Sequence, residues 1–274
     1  MTHTLIHPTA IVDPKATLGP GVRIGPFSIV GPEVVLGAGV EIGNHVTLES
    51  RVVLDAGVKI GHGAVLGGAP QDLKFKEGTS SGVRVGAGTV IREHVTIHRA
   101  TAADGWTEIG RNCLIMAMSH IAHDCRLAAD VIVISFAGLT GHCTVGERAT
   151  VGGLTGVVPF TRIGAYAYLG GGGKLTSDLP PFMLADGLPS TVRGVNVIGL
   201  RRAGVPPATR RAIQDAHALL YRQGLSPKSA LGRIRREVAP SPHITMLIEF
   251  IEAARRGICG PPRGGAVVAS EEVF

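Results

Sequence analysis

Aromatic residues are scarce in this chain. Of its 274 residues, 1 is Trp, 3 are Tyr and 7 are Phe, whereas 39 are Gly and 17 are Pro. Gly weakens helices and strands from within, and a core of this size usually draws on aromatic side chains. The composition therefore excludes long helical bundles for most of the chain. Hydrophobic residues still make up 45% of the sequence, which excludes a disordered protein.

Long apolar runs and a disulfide pattern are missing as well. No run approaches the roughly 18 to 20 apolar residues that cross a bilayer. Residues 1–12 lack the basic and apolar segments of a secretory signal. A total of 4 cysteines in a chain of this length does not indicate a disulfide scaffold. We expect a cytoplasmic protein with free thiols and no membrane insertion.

The net charge of +6 is unevenly distributed along the chain. Residues 1–192 carry 14 basic and 15 acidic groups, a net charge of −1, whereas residues 193–274 carry 13 and 6, a net charge of +7. This asymmetry predicts a nearly neutral scaffold joined to a basic appendage that meets an acidic partner. Charge alone leaves two partners open, a nucleic acid and an acidic protein.

An aliphatic residue recurs at every sixth position. One series runs from Ile6 to Leu66 and a second from Val85 to Leu175, and Val, Ile or Leu fills 26 of the 27 positions, Ala103 being the exception. A period of six fits neither the 3.6 residues of a helical turn nor the alternation of a long strand. Three short strands per turn of 18 residues fit it, with turns stacked about 4.8 Å apart. The repeat therefore predicts an all-β parallel β-helix with aliphatic columns inside.

Two breaks interrupt the repeat, and glycine recurs within it. The breaks predict loop excursions near residues 67–84 and 103–108, and long loops on a rigid scaffold often carry function. Gly often follows the aliphatic residue, as in Ile24-Gly25 and Leu36-Gly37. We attribute these glycines to the unusual backbone angles that tight corners need.

The repeat stops after Leu175. Pro-Pro pairs at 180–181 and 206–207 frame a connector, and helical patterns follow over 208–223, 226–238 and 241–257. We predict a β-helix domain over 1–190 and a connector with a small α-helical domain over 191–260. The tail, 261–274, is predicted to be disordered.

Four histidines, His98, His120, His123 and His142, fall close together in the repeat. Because His123 and His142 are 19 residues apart, they lie on adjacent turns, and Asp124 precedes His142 by 18 residues, which is one strand spacing. An imidazole, with its ordinary pKa of about 6.5, can act as a general base when a neighbouring group sets its tautomer. Three interpretations remain open: a solvated polar face, a general base, and a three-histidine zinc site with an open position.

Several segments carry motifs beyond the repeat. They are Gln71-Asp72-Leu73-Lys74, Val95-Thr96-Ile97-His98-Arg99, His120-Ile121-Ala122-His123-Asp124-Cys125, Gly141-His142, Asp178-Leu179-Pro180-Pro181 and Gly194-Val195-Asn196. In order and spacing these segments resemble the UDP-N-acetylglucosamine 3-O-acyltransferases that begin lipid A synthesis. The resemblance covers residues 6 to about 257. It implies that the β-helix is left-handed.

The resemblance also implies an activity and a site. The activity is transfer of an (R)-3-hydroxyacyl chain from acyl carrier protein to the 3-OH of UDP-N-acetylglucosamine, in a homotrimer with clefts between subunits. His123 matches the general base, whose ring Asp124 or a nearby carbonyl would orient, and Gly141 matches the backbone donor to the oxyanion. Substrate-binding positions are matched by Gln71, Asp72, Lys74, His98, His120, His142, Gly171, Asn196 and Arg202. Gly171 matches a position that limits acyl length.

These matches settle the expected partners and cofactors. Carrier protein is acidic, so it fits the basic C-terminal part of the chain, and we expect no nucleic acid partner. Asp72 and Lys74 beside the histidines favour an organic substrate over a metal, so we expect neither a metal nor a cofactor. A zinc hydratase resembling the γ-class carbonic anhydrases is the less favoured alternative.

Some positions depart from the family pattern. Val158-Pro159-Phe160 stands where the family commonly has His-Gln before Phe, Ile198 replaces a common acidic residue, and a pair of arginines is reduced to Arg202-Ala203. All three departures concern the acceptor side. They leave open an alternative acceptor, a variant sugar nucleotide that bears an amino group.

Overall fold

The computed structural model describes residues 4–262, which form short strands followed by helices. The strands are β1 Leu5–Ile6, β2 Ile11–Val12, β3 Thr17–Leu18, β4 Arg23–Ile24, β5 Ile29–Val30, β6 Val35–Leu36, β7 Glu41–Ile42, β8 Thr47–Leu48, β9 Val52–Leu54, β10 Lys59–Ile60, β11 Val65–Gly68, β12 Gly82–Val85, β13 Val90–Ile91, β14 Thr96–His98, β15 Trp106–Ile109, β16 Leu114–Ile115, β17 His120–Ile121, β18 Arg126–Leu127, β19 Ile132–Val133, β20 Gly138–Leu139, β21 Thr144–Val145, β22 Thr150–Val151, β23 Gly156–Val157, β24 Arg162–Ile163, β25 Tyr168–Leu169, β26 Lys174–Leu175, β27 Met183–Asp186 and β28 Thr191–Val195. The helices are α1 Val197–Arg202, α2 Pro207–Tyr221, α3 Pro227–Glu237 and α4 Pro242–Glu252.

The strands form three parallel sheets that wrap around one core. The first sheet begins with β1, β4 and β7, the second with β2, β5 and β8, and the third with β3, β6 and β9. Ile6 pairs with Ile24, and Ile24 with Ile42, so each turn of the coil takes 18 residues. The chain is a left-handed parallel β-helix of triangular cross-section, as the six-residue repeat and the family resemblance predict.

The aliphatic columns fill the interior. The second residue of the typical two-residue strand points inward; Leu36, Leu48 and Leu54 are between 0% and 1% exposed. Burying such a side chain stabilises the fold by about 1.5 to 3 kcal/mol. Because the turns after the first repeat this burial, the sequence period sets the inner and outer faces; in the first turn Ile6 is 44% exposed.

The glycines that follow the aliphatic residues serve close packing, which corrects the sequence interpretation. A Cβ on Gly37 would lie 2.7 Å from the backbone nitrogen of Ala56 in the next turn. The left-handed backbone falls two residues later, where it is carried by some glycines, such as Gly39 (φ 67°), and more often by other residue types, such as Asp124 (φ 60°) and His142 (φ 61°). Such a conformation costs an L-residue about 1 to 2 kcal/mol, which stacking of the turns offsets.

Both loop excursions leave the edge between the second and third sheets. The first covers residues 69–81, between β11 and β12. The second covers residues 99–105, whereas it was predicted at 103–108. That prediction was wrong at its C-terminal end, because Trp106–Ile109 forms β15 and pairs with β12. The loop adds one hexad, which is why the phase survives across it.

The predicted connector is more structured than expected. β27 and β28 form an antiparallel hairpin that extends the first sheet, and the predicted boundary between 190 and 191 falls inside this hairpin. Helix α1, which was not predicted, follows immediately. α3 and α4 lie within the predicted helical segments 226–238 and 241–257, and α2 begins one residue before the predicted segment 208–223. Of the tail predicted to be disordered, residues 263–274 lie outside the described residues.

An ion pair attaches the helical part to the last turns of the coil. Arg162 Nε donates to Asp178 Oδ2 at 2.7 Å, and its Nη2 donates to the carbonyl of Phe250 in α4 at 2.8 Å. The guanidinium also lies over the Phe250 ring, 4.3 Å from its centroid.

Across residues 4–262, no helix combines the length and apolar character that a membrane span requires.

Candidate active site

His123 and Asp124 form a dyad at the edge between the second and third sheets. His123 Nδ1 lies 2.8 Å from Asp124 Oδ2. The next turn places His142 beside them, with its Nε2 3.6 Å from the same carboxylate oxygen and its ring 5.3 Å from the His123 ring. The predicted neighbourhood of these three side chains is therefore present in the structure.

The carboxylate sets the tautomer of the imidazole. Burial raises the pKa of Asp124, but hydrogen bonds from His123 and Thr101 outweigh it and hold that pKa below its usual range. An ionised carboxylate can only accept hydrogen bonds. The proton in the 2.8 Å contact therefore belongs to His123 Nδ1, which leaves the Nε2 lone pair free to act as a base.

Gly141 lies against this free nitrogen. A Cβ at position 141 would be 2.7 Å from His123 Nε2, so the backbone and the base share one small space. The Gly141 N–H has no hydrogen-bond acceptor within residues 4–262. The same hexad position, two residues after the aliphatic, holds Pro8, Pro14, Pro20, Pro26 and Pro32 in earlier turns. Because Pro has no N–H, the coil does not need this donor, which is free to serve a ligand.

Phe160 is a site residue whose role sequence reasoning missed. Its ring stacks on His142 with centroids 4.5 Å apart and an interplanar angle of 7°. The signal was available, because Phe160 follows His142 by 18 residues, the length of one turn. In the sequence, Phe160 stands out only as part of a departure from the family pattern, Val158-Pro159-Phe160.

Thr101 is a second contact that sequence reasoning missed. Its backbone N–H and hydroxyl both donate to the Asp124 carboxylate. Thr101 lies in the 99–105 loop, outside the regular repeat. No spacing rule relates such a loop residue to a turn further along the chain, so the sequence offered no signal for it.

His98 and His120 form a second histidine pair. Their rings meet edge to face with centroids 4.8 Å apart, and Thr96 Oγ1 lies 2.7 Å from His120 Nδ1. Burial, followed by the neighbouring His120, His123 and Arg99, lowers the pKa of His98 to about 4. Burial likewise lowers the pKa of His120. Both rings are neutral at pH 7 and suit hydrogen bonding to hydroxyl groups better than pairing with phosphate charges.

The 69–81 loop carries three predicted binding residues at this same edge. Gln71 and Lys74 are exposed, and Asp72 is half-buried, with its Oδ1 accepting from the Lys74 N–H at 2.9 Å. His98 Nδ1 is buried and has no hydrogen-bond partner within residues 4–262. The edge thus carries a cation, a carboxylate and neutral imidazoles.

Three other predicted binding residues lie elsewhere in the single chain. Gly171 sits at the edge between the first and second sheets. Asn196 caps α1 by accepting from the Gly199 N–H, and donates to the carbonyl of Tyr166. Arg202 ends that same helix. One chain does not bring these residues to His123.

The side chains of His123, Asp124 and His142 also lie close enough together to form a cation site. His123, Asp124 and His142 each offer one ligand atom, and the three atoms lie within 4.8 Å of one another. Two hydrogen-bond contacts already engage Asp124 Oδ2, from the hydroxyl of Thr101 and from His123 Nδ1, each at 2.8 Å. Ligand geometry alone therefore fits both a proton-transfer dyad and a metal site.

Comparison with known proteins shows the family of the chain. Residues 178–259 match the family described as UDP-N-acetylglucosamine O-acyltransferase, domain 2, and residues 15–50 match the bacterial transferase hexapeptide family. An acyl-(acyl-carrier-protein)–UDP-N-acetylglucosamine O-acyltransferase of Burkholderia lata is 45% identical over 260 residues, which cover 93% of this chain and 99% of that protein. A UDP-N-acetylglucosamine acyltransferase structure from Bacteroides fragilis has a TM-score of 0.89 at 35% identity and covers 93% of this chain and 99% of its own. One from Francisella novicida has a TM-score of 0.90 at 31% identity and covers 98% and 100%.

Proposed function

Because the chain belongs to the UDP-N-acetylglucosamine O-acyltransferase family, we propose that it moves an (R)-3-hydroxyacyl chain from acyl carrier protein to the 3-OH of UDP-N-acetylglucosamine. This reaction is the first step of lipid A synthesis. The observation that carries the mechanism is the His123–Asp124 dyad, whose free Nε2 faces the backbone of Gly141. The family relationship does not favour the amino-acceptor and zinc-hydratase alternatives.

His123 is the general base in this mechanism. Its Nε2 takes the proton from the 3-OH while the sugar oxygen attacks the thioester carbonyl. The resulting imidazolium keeps its Nδ1–H hydrogen bond to Asp124, whose negative charge stabilises it. A positioned base of this kind contributes about 10² to 10⁴ in rate.

Gly141 stabilises the charge that develops on the thioester oxygen. Its free N–H is the donor that the tetrahedral oxyanion needs, a contribution of about 3 to 4 kcal/mol. When the intermediate collapses, the carbon–sulfur bond breaks and the imidazolium returns its proton to the leaving thiolate. The acyl group passes directly to the sugar, so no covalent enzyme intermediate forms.

The substrate is held by the residues around the dyad. Neutral His98 and His120, together with the ring of His142, are suited to sugar and acyl hydroxyls, and the exposed cation of Lys74 to the pyrophosphate. We assign Gln71, Asp72, Asn196 and Arg202 to the same substrate-binding set, because their motifs resemble those of the family. Gly171 has no side chain that would limit the length of the acyl chain. A Cβ at this position would lie 3.3 Å from the carbonyl oxygen of Gly153.

A homotrimer would account for the uneven outer faces of the coil. The third sheet presents charged side chains such as Arg84 and Arg126. The edge between the first and second sheets instead exposes large apolar side chains, with Met118 at 50%, Phe136 at 56% and Leu154 at 71%. We expect this edge to face neighbouring copies, which would bring Gly171 of one copy towards the dyad of another.

The basic C-terminal part is the expected docking surface for carrier protein. Its excess of cations over residues 193–274 would attract an acidic partner and make association sensitive to salt. Reaction in the cytoplasm, where the thioester and the sugar nucleotide are made, is part of the same proposal.

The decisive experiment offers the enzyme several substrates at once. It is incubated with acyl carrier protein thioesters of several lengths and with both the hydroxyl and the amino form of the sugar nucleotide, and products are identified by mass. The proposal expects one 3-O-acylated product that depends on carrier protein. Exclusive N-acylation would overturn the assigned acceptor, and no acylated product would overturn the activity. Light scattering of the same sample measures the oligomeric state.

A further inference from the structure

The 99–105 loop brings Thr101 onto the catalytic carboxylate. The Thr101 N–H lies 3.2 Å from each oxygen of Asp124, and its hydroxyl donates to Oδ2 at 2.8 Å. The carboxylate thus accepts from two donors of a single residue, which lies 23 positions earlier in the chain. A carboxylate bound by both donors has its plane and its rotation fixed.

The Thr101 hydroxyl donates to Asp124 Oδ2, the carboxylate oxygen that contacts His123. Asp124 Oδ2 is the atom that faces His123 Nδ1 at 2.8 Å. Rotation of the carboxylate away from this position would release the imidazole and its tautomer. On the backbone side, the Asp124 N–H donates to Thr107 Oγ1 at 2.9 Å, so the main chain of the corner is held independently of Thr101.

The loop that carries Thr101 is itself fixed at both ends. Ser81 Oγ donates to the carbonyl of Ala100, and the Gly82 N–H donates to the carbonyl of Gly105 at 3.0 Å. Arg51 pairs with Asp104 at 3.2 Å. Thr101 is therefore presented to Asp124 by a braced segment, so a change at its hydroxyl need not unfold the loop.

We propose that Thr101 is a positioning residue for the reaction, which acts by holding the Asp124 carboxylate so that His123 keeps its proton on Nδ1 and its Nε2 free. This inference rests on the proposed function for its kinetic consequence. It assigns a purpose to the second excursion, whose six extra residues have no place in the regular coil. Thr101 itself does not touch the reacting atoms.

Kinetics of matched variants test the role. Thr101→Val removes the hydroxyl and keeps the shape and the backbone donor, and we expect kcat to fall about tenfold while KM for both substrates stays within about twofold. Thr101→Ser restores the hydroxyl, so it should remain within about twofold of wild type. Thr17→Val, an exposed substitution in an early turn, should change nothing.

A double-mutant cycle separates action through Asp124 from any other effect. In an Asp124→Asn background, Thr101→Val should lower kcat by less than about twofold, because the carboxylate that it positions is gone. The inference is overturned if Thr101→Val keeps wild-type kcat, if the serine variant loses as much as the valine variant, or if the loss in the Asp124→Asn background remains tenfold.

A spectroscopic readout makes the test independent of substrate. In enzyme labelled with ¹⁵N-histidine, the signal of His123, assigned by its absence in His123→Gln, should report protonation at Nδ1 in wild type and a mixture with the Nε2–H tautomer in Thr101→Val. An unchanged tautomer would contradict the positioning role. A changed tautomer in an enzyme that transfers no acyl group would leave this role standing and would refute the proposed function instead.

Discussion

The backbone of Gly141 lies directly against the imidazole of His123. The ring occupies the space that a side chain at 141 would need, with Nε2 only 2.7 Å from the position of a Cβ. The same backbone carries an N–H that the coil leaves unused. The proposed base and the proposed oxyanion donor therefore lie in contact because residue 141 has no side chain.

Replacing Gly141 by Ala should cost about 10² in kcat or more. The added Cβ would force the His123 ring to move, and a displacement of about 1 Å at a reacting group has an effect of this size. Steady-state kinetics with saturating substrates measure the loss. Gly232→Ala is the control, because the nearest atom to a Cβ at 232 is 3.7 Å away and Ala favours helix α3. Wild-type turnover in Gly141→Ala would contradict the site geometry.

His123→Ala should lower kcat by about 10² to 10⁴ while leaving the fold intact. The imidazole lies at an outer corner of the coil, so its removal empties no part of the aliphatic core. Circular dichroism checks the fold and product formation checks the activity. Lys15→Ala, at an exposed corner in the first turn, should retain full turnover. Unchanged turnover in His123→Ala would exclude the assignment of the base.

The free energy of unfolding should decrease as pH is lowered through a window set by the titration of His98. Its pKa is about 4 in the folded protein, chiefly because of burial, against an ordinary value of about 6.5 in an unfolded chain. Between these values the unfolded chain binds more protons, so the free energy of unfolding decreases as pH falls from about 6.5 towards 4. Above 6.5 the contribution of His98 is fully present.

Removing the titrating group should remove this part of the pH dependence. His98→Asn should therefore gain in Tm relative to wild type as pH is lowered from 7 to 4.5. Thermal unfolding at a series of pH values measures the difference between the two proteins. Parallel curves for the two proteins would show that His98 does not titrate as described.

Arg162→Met should destabilise the protein by about 3 to 5 kcal/mol, because it leaves Asp178, whose side chain is 3% exposed, as an unpaired buried charge. Arg126→Met is the matched control, since this arginine lies on the same sheet two turns away, with its side chain 66% exposed and 3.7 Å from Glu108. Its loss should cost at most about 1 kcal/mol. Urea unfolding compares the two, and equal effects would contradict the structural role of the buried pair.

The hexad shows how much of this fold is readable from the sequence. Burial in a coil depends only on where each residue falls in a turn, so Leu36 and Leu54 could be placed in the core from their spacing. The same register placed Asp124 beside His142, because 18 residues return the chain to the same corner. The family motifs then predicted the acyltransferase, which the comparisons confirm.

Three-dimensional packing decided the features that the six-residue repeat does not encode. The approach of successive turns, and not a corner angle, requires Gly37, and the 99–105 loop reaches Asp124 through contacts that no period encodes. The β27–β28 hairpin and α1 likewise arise from docking against the end of the coil. A repeat determines what recurs at a fixed interval, whereas irregular segments take their conformation from distant neighbours with which they share no register. For this reason the closeness of Asp124 and His142 was visible in the sequence, but the contact of Thr101 with the Asp124 carboxylate was visible only in the fold.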